Sequence, residues 1–319
     1  MPSPAASIPF PPRPRYRLLR SSPPHYLPFS PMVAPTELQS IPPSPAASAD
    51  SAPPPISAAQ IEQFHRDGWC VVDALFSPAE IDAIEAFFEE FKTNGAAIYD
   101  GKSRFEDIDP AKRQLRAMHP HRHSEQAKTW ALQPRVLAVL GALLGHPALL
   151  AQTMYYFKPP GAKGQGMHQD NFYLLAAPAT CIAAWTAIDA ATLDNGCLWV
   201  VPGSHRHAIH CPKEVPGENW NNYGDSHINP FPRDAKPIPV TVPRGSTMFF
   251  GGQLIHGSGP NRTTATSRRT FIGHYVDAAT TSLSKFYHPV LDARGQVVST
   301  VAVDTGGGPC GDGTGGGLH

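Results

Sequence analysis

The amino-acid sequence predicts an α+β domain with a mainly β core. Helical periodicity is confined to the first half of the 319-residue chain, and short β-rich runs broken by Gly and Pro follow from Ala148 onward. Helices followed by strands are typical of α+β folds, and many short strands with turn signals indicate a sandwich or a barrel. A hydrophobic content of 41% provides enough apolar side chains for a buried core.

Composition argues against two classes of protein. The 26 basic residues equal the 26 acidic residues, whereas a general nucleic-acid-binding protein usually has a basic excess. No apolar run reaches the roughly 18 residues that a membrane-spanning helix needs. The five Cys form no CxxC pair, which predicts reduced thiols in an intracellular protein. We therefore expect a cytoplasmic protein, with an organelle as the alternative; no pattern indicates its oligomeric state.

Three segments are predicted along the chain. Residues 1–56 contain 17 of the 36 Pro and too few apolar side chains to offset their ordering entropy. Three interpretations of this segment stay open: an Arg- and Ser-rich organelle-targeting peptide, a disordered tail, or a true start at Met32. Residues 57–304 form the predicted folded domain, and the Gly-rich residues 305–319 a flexible tail.

Capping boxes predict the first two helices. Ser57 precedes Gln60 by three positions, and Ser77 precedes Glu80 in the same way. Gly95 is expected to end the second helix. The other elements predicted in this half are a strand over 69–75 and a helix over Pro134–Leu144.

The second half predicts six strands and one long loop. The loop, residues 211–237, is polar and is expected either to cover a binding site or to be a surface insertion. The predicted strands are 149–157, 180–188, 198–201, 238–242, 246–250 and 270–276.

His168, Asp170 and His256 are the candidate metal ligands. If residues 168–170 are extended, alternation directs His168 and Asp170 to the same face. A second imidazole from His256 would complete the facial triad of two His and one carboxylate that non-heme Fe(II) oxygenases use. An isolated HxD is a weak signal in a chain with 15 His. Two other His groups are not expected to bind a metal. His119, His121 and His123 are expected to be solvated or to face the substrate, and His205 is expected to belong to a structural turn with His207 in the loop beyond it.

Five motifs resemble the phytanoyl-CoA dioxygenase family of Fe(II)/2-oxoglutarate oxygenases. They span about residues 57–290 and together are far more specific than the triad alone. The resemblance implies a double-stranded β-helix, or jelly roll, with N-terminal helices that buttress one sheet. The motifs are His168-Gln169-Asp170, Ala184-Trp185-Thr186-Ala187, Asn195-Gly196-Cys197-Leu198, Pro202-Gly203-Ser204-His205 and His256-Gly257-Ser258-Gly259.

The same resemblance implies the chemistry. Fe(II), 2-oxoglutarate and O2 are the implied cofactor and cosubstrates, with ascorbate as a candidate reductant. The implied reaction hydroxylates an unactivated C–H bond of a small organic substrate and releases succinate and CO2. Asp170 favours hydroxylation, because halogenating relatives replace this carboxylate with Ala or Gly. The alternative is a ligand-binding jelly-roll protein without turnover; a zinc hydrolase is disfavoured because no HExxH motif is present.

The resemblance also implies a 2-oxoglutarate site. An Arg would bind the distal carboxylate with its planar, permanently charged fork, and counting back six residues from His274 selects Arg268 over Arg269. Alternation would send Arg269 to the opposite face as a surface residue. The other implied contacts are Ser258, Trp185 and Met154, and the candidates without an assigned place are Lys158, Gln165 and Asn171.

Overall fold

The structure is a computed structural model that describes residues 55–93, 115–211, 228, 232–304 and 310. Most of the predicted N-terminal segment 1–56 lies outside the described residues. The same holds for Gly95, for most of the predicted loop 211–237 and for all of the predicted tail 305–319 except Cys310.

The N-terminal helices begin where the capping boxes predict. In the first, the Ser57 side chain accepts from the backbone of Gln60, whose side chain accepts from the Ser57 backbone in return. Ser77 and Glu80 form the same reciprocal pair at 2.8 and 3.3 Å. The helix at 134–144 has its predicted bounds, whereas a short helix just before it was not predicted. The helices are α1 (Ala58–Asp67), α2 (Pro78–Thr93), α3 (Glu125–Ala131) and α4 (Pro134–Leu144).

A large antiparallel sheet forms one layer of the described domain. Its order is β1-β8-β5-β10-β3-β12-β13, with β2 also paired to β3. The first strand is shorter than predicted, because the chain turns at Asp73 and Ala74, where Ala74 has a φ of 48°. The strands are β1 (Trp69–Val72), β2 (Leu115–Met118), β3 (Ala148–Phe157), β5 (Ile182–Ala187), β8 (Thr247–Gly251), β10 (Thr270–Asp277), β12 (Val290–Leu291) and β13 (Val297–Val298).

A smaller antiparallel sheet forms the second layer, in the order β4-β9-β6-β7. Two facing antiparallel sheets with helices outside one of them are the predicted jelly roll, so the fold class is confirmed. The remaining elements are β4 (Gln165–His168), α5 (Asn171–Leu174), β6 (Leu198–Val200), β7 (Ile238–Val240), β9 (His256–Ser258) and the parallel pair β11 (Ser282–Ser284) and β14 (Ala302–Asp304).

The two faces of the large sheet bury different cores. On the outer face, helix α2 packs on β3, where the Phe88 ring stacks on Tyr155 at 3.9 Å between centroids. Burying side chains of this size contributes about 1.5–3 kcal/mol each. On the inner face, Met154, Trp185 and Leu198 belong to a second buried cluster that lies between the two sheets. No helix in the described ranges is long and apolar enough to cross a membrane.

The cysteines differ from the prediction. Cys211 and Cys310 form a disulfide with a Cα–Cα distance of 5.6 Å, so the expectation that all five thiols are reduced is wrong for these two. Their separation of 99 residues is not a recognisable spacing, which is why the sequence did not pair them. The other three, Cys70, Cys181 and Cys197, are buried free thiols as predicted.

Candidate active site

Strand pairing brings the two candidate histidines together. β4 and β9 are antiparallel with His168 opposite His256, and the two ring centroids lie 4.2 Å apart. The Nδ1 atoms lie 2.8 Å from the carbonyl of Gly166 and 3.0 Å from that of Leu254. A carbonyl oxygen only accepts, so each Nδ1 carries the proton. Both Nε2 atoms therefore keep their lone pairs for a metal ion.

Asp170 reaches the same point by a turn. It has φ −60° and ψ −37° at the start of α5, so the expectation that residues 168–170 are extended is wrong. Its Oδ1 atom still lies 3.5 Å from the Nε2 atoms of both His168 and His256. The three ligand atoms all lie within 4.8 Å of one another, and all three residues are buried.

This donor set fits Fe(II). Two neutral imidazoles and one carboxylate oxygen are the ligands of the non-heme Fe(II) facial triad. Burial lowers the pKa of His256 to about 4, which keeps that imidazole neutral at physiological pH. The Oδ2 atom of Asp170 accepts a hydrogen bond from Nε2 of His274 at 3.1 Å. His274 therefore orients the carboxylate, an outer-shell contact of the kind that metal sites retain.

Arg268 lies just before β10 and is 3% exposed. Its guanidinium carbon lies 5.3 Å from the Trp185 ring centroid, and Nη1 lies 3.4 Å from the Thr270 hydroxyl. Burial lowers the pKa of Arg268 to about 10, so the group still carries its charge at neutral pH. Among the described residues it forms no ion pair with an acid. A buried cation of this kind is a candidate anion-binding group.

Lys158 supplies a second buried basic side chain beside Arg268. Its Nζ atom donates to the Ser258 hydroxyl at 2.8 Å and to the carbonyl of Gly259 at 2.7 Å. Burial, and then the charge of Arg268, lowers the pKa of Lys158 well below its usual value. No acidic side chain in the described part of the chain pairs with it. The sequence could not place Lys158, because Ser258 is 100 positions away.

Lys158, Ser258 and Arg268 line a small cavity that adjoins the triad cavity. The lining of the triad cavity includes Asp170 and His256 together with all four residues expected to contact 2-oxoglutarate, which are Arg268, Ser258, Trp185 and Met154. Gln165 also lines it, and its amide nitrogen lies 3.3 Å from Nε2 of His168. Asn171 does not line it, because its side chain bonds both backbone groups of Ala176.

Arg269 lies on the opposite side of the large sheet. Its Nε and Nη2 atoms bond the two carboxylate oxygens of Asp189 at 2.8 and 2.7 Å. Nη1 also meets Glu85 at 2.7 Å and Glu89 at 3.1 Å. These bonds, with Asp189 first, raise the pKa of Arg269. Arg269 is thus partly buried and ion-paired, and not the simple surface residue expected.

The family follows from the sequence comparison. Residues 64–270 match the phytanoyl-CoA dioxygenase (PhyH) family. The chain belongs to this family. It is 30% identical over 205 residues to phytanoyl-CoA dioxygenase domain-containing protein 1 of Mus musculus, an alignment that covers 63% of the chain and 67% of the relative. It is 27% identical over 234 residues to the peroxisomal phytanoyl-CoA dioxygenase of Rattus norvegicus, covering 69% and 68%.

Solved structures support the fold. EctD from S. alaskensis, solved with 2-oxoglutarate and 5-hydroxyectoine, is 20% identical with a TM-score of 0.57, covering 82% of this chain and 90% of that one. HygX from Streptomyces hygroscopicus, solved with nickel and 2-oxoglutarate, is 17% identical with a TM-score of 0.54, covering 71% and 89%. Family membership and the His-Asp-His triad together identify this member as a 2-oxoglutarate-dependent dioxygenase.

The other histidines that the structure describes form no second cluster with metal-ligand geometry. The triad is the one cluster with metal-ligand geometry in the described residues. His205 contacts the backbone carbonyl of His65 at 3.2 Å, as expected for a structural turn. His123 is exposed as predicted, whereas His119 and His121 are buried, so the solvated interpretation is wrong for these two. His121 is held by the Thr153 hydroxyl at 2.7 Å.

Proposed function

We propose that this protein hydroxylates an unactivated C–H bond of a small organic substrate. In that reaction the substrate, O2 and 2-oxoglutarate give the alcohol, succinate and CO2. The observation that supports the proposal is a pair of cavities that share Arg268, Ser258 and Gln165: one reaches Asp170 and His256 of the metal-type triad, and the other reaches the buried Lys158. A ferrous ion with open coordination sites needs such a triad, and a dicarboxylate cosubstrate needs such basic side chains.

His168, Asp170 and His256 would hold the iron. Fe(II) bound there supplies the O2 activation that couples decarboxylation of 2-oxoglutarate to oxidation of the substrate, with ascorbate as a reductant that keeps the metal ferrous. The protein contributes orientation: the Gly166 and Leu254 carbonyls fix the imidazole tautomers. His274 fixes the Asp170 carboxylate.

Arg268, Lys158 and Ser258 would bind the distal carboxylate of 2-oxoglutarate. Arg268 provides two parallel donors, while Lys158 provides a second charge and Ser258 a hydroxyl. Trp185 and Met154 would form the apolar walls along the carbon chain. An anion there would neutralise charges that are otherwise buried at a cost.

The test measures metal binding and succinate formation on purified protein. Wild type should bind Fe(II) anaerobically, and addition of O2 should then consume 2-oxoglutarate and form succinate. His168→Ala and Asp170→Ala should lose both metal binding and succinate. His123→Ala, which removes an exposed imidazole, should retain both.

The same assay separates the alternative function. A ligand-binding protein without turnover would bind Fe(II) and 2-oxoglutarate but form no succinate with any substrate offered. Succinate formation that persists in Asp170→Ala would instead mean that the ligand assignment is wrong.

A further inference from the structure

Two buried polar residues, Gln152 and His119, lie near His274, the residue that contacts Asp170. Gln152 on β3 is the register partner of His274 on β10, and register partners share a face of a sheet. His274 lies 3.1 Å from Asp170 Oδ2. His119 follows β2, and its backbone N–H donates to the carbonyl of Thr153, the residue after Gln152, at 2.8 Å. We call His119 and Gln152 the neutral cluster.

Gln152 and His119 have buried polar atoms without hydrogen-bond partners among the described residues. Gln152 is 0% exposed and His119 is 7% exposed. Neither the amide oxygen and nitrogen of Gln152 nor the two ring nitrogens of His119 have a hydrogen-bond partner among the described residues. Buried polar groups are nearly always paired, so each exception calls for a cause such as a ligand.

The backbone at His119 points the same way. Its φ is 51°, in the left-handed region, which is uncommon for a residue other than Gly although His adopts it more often than most. Such strain persists where the surrounding structure holds a side chain in place for function. Here it holds an imidazole whose ring centroid lies 6.3 Å from that of Tyr287.

The chemistry of the cluster defines its ligand. Burial lowers the pKa of His119 to about 2, so the ring is a neutral imidazole with one donor and one acceptor. The Gln152 amide also offers both a donor and an acceptor. A hydroxyl or an amide, which both donates and accepts, complements this set, and a carboxylate, which only accepts, does not.

We propose that the neutral cluster is the substrate subsite, where His119 and Gln152 receive an uncharged hydroxyl or amide of the substrate next to the metal ligand Asp170. This inference rests on the proposed function and extends it to a substrate class. Arg268 and Lys158 take the dicarboxylate cosubstrate, and the neutral cluster takes a substrate bearing an alcohol or an amide. Gln152 and His119 act as positioning residues for the C–H bond that is oxidised.

Benzamide and benzoate test the subsite, because they share a ring and differ in the polar group. The full chain is first loaded with Ni(II) and 2-oxoglutarate, and each probe is then followed by saturation-transfer NMR. Benzamide should give a signal at least fivefold stronger than benzoate. Gln152→Met should weaken benzamide binding about fivefold, the value of one net hydrogen bond. His119→Asn, a residue that tolerates positive φ, should do the same, whereas His123→Asn should have no effect.

Thermal stability separates a binding role from a structural one. If Gln152 is held unpartnered for a ligand, Gln152→Met removes a buried amide at nearly constant volume and should raise the Tm of the ligand-free protein by about 2–4 °C. A lowered Tm would mean that the amide is satisfied within the fold and would overturn the proposal. So would equal signals from both probes, no signal from either, or benzamide binding that survives both variants.

The loading step distinguishes two kinds of failure. If wild type does not take up Ni(II) and 2-oxoglutarate, the proposed function fails. If it takes up both and the probes do not discriminate, only the substrate subsite fails.

Discussion

Arg268 and Arg269 are neighbours in the chain, yet they face opposite sides of the large sheet and have opposite surroundings. Arg269 lies on the outer face, where Asp189, Glu85 and Glu89 meet its guanidinium. Arg268 lies on the inner face, where it contacts the Trp185 ring and the Thr270 hydroxyl and forms no ion pair in the described residues. Burial lowers the pKa of Arg268 to about 10, and the acids raise that of Arg269.

The contrast separates a structural cation from a binding one. On the outer face the charge of Arg269 is matched by three acids of the protein, so this cation needs no ligand. On the inner face Arg268 and Lys158 are buried without acids, which costs stability until an anion binds. For two residues of the same type, the role therefore follows from whether the charge is paired within the protein.

The largest expected effect separates the two arginines by cosubstrate affinity. Arg268→Met should weaken 2-oxoglutarate binding roughly 10- to 100-fold, since a charged hydrogen-bonding partner contributes about 1.5–3 kcal/mol. Arg269→Met should leave that affinity within about twofold. The measurement is calorimetric titration of 2-oxoglutarate into the Ni(II)-loaded protein. Equal losses in the two variants would remove the basis of the comparison.

The sequence predicted what depends on local chemistry and on strand alternation. The caps at Ser57 and Ser77 are three-residue patterns, so the helix starts follow from them. Alternation also separates Arg268 from Arg269. The turn at Asp170 was missed because a two-residue spacing is compatible with both a strand and a turn.

Contacts between residues far apart in the chain could not be predicted from the sequence. Lys158 had no assigned place until the fold set it against Ser258, and Cys211 met Cys310 in the same way. Gln152 gave no signal at all, because its distinguishing property is a lack of partners in the described residues. No pattern of residue types encodes such a lack.

The next largest effect concerns how 2-oxoglutarate affinity at the inner face depends on pH. Burial lowers the pKa of Lys158 well below its usual value, so the ammonium is lost at a pH where Arg268 stays charged. The affinity of wild type for 2-oxoglutarate should therefore fall as pH rises through the Lys158 pKa. Lys158→Met should bind about tenfold more weakly at low pH, flatten the profile and converge with wild type at alkaline pH. Lys285→Met, an exposed lysine, should retain the wild-type slope.

Loss of the free energy of unfolding should be larger for the Arg269 variant than for the Arg268 variant, the reverse of the order for 2-oxoglutarate affinity. Arg269→Met leaves the partly buried Asp189 without its paired donors and should lower the free energy of unfolding by about 1–3 kcal/mol. Arg268→Met removes a buried charge that lacks an acid, so the ligand-free protein should be as stable as wild type or more so. Urea unfolding without metal or 2-oxoglutarate measures both. A loss of stability in Arg268→Met as large as that in Arg269→Met would contradict the assignment of Arg268 to a ligand.

The smallest expected effect tests how much each acid of the outer face contributes to the ion pairs of Arg269. Glu89 is 40% exposed and shares one guanidinium nitrogen of Arg269 with Glu85, so Glu89→Gln should cost less than about 1 kcal/mol. Asp189→Asn should cost more, because Asp189 accepts from Nε, Nη2 and the backbone N–H of Arg269. Urea unfolding at low and high salt compares the two, and only the Glu89 contribution should vanish at high salt. A larger loss for Glu89→Gln would mean that helix α2, and not the bend after β5 that carries Asp189, holds Arg269 on the outer face.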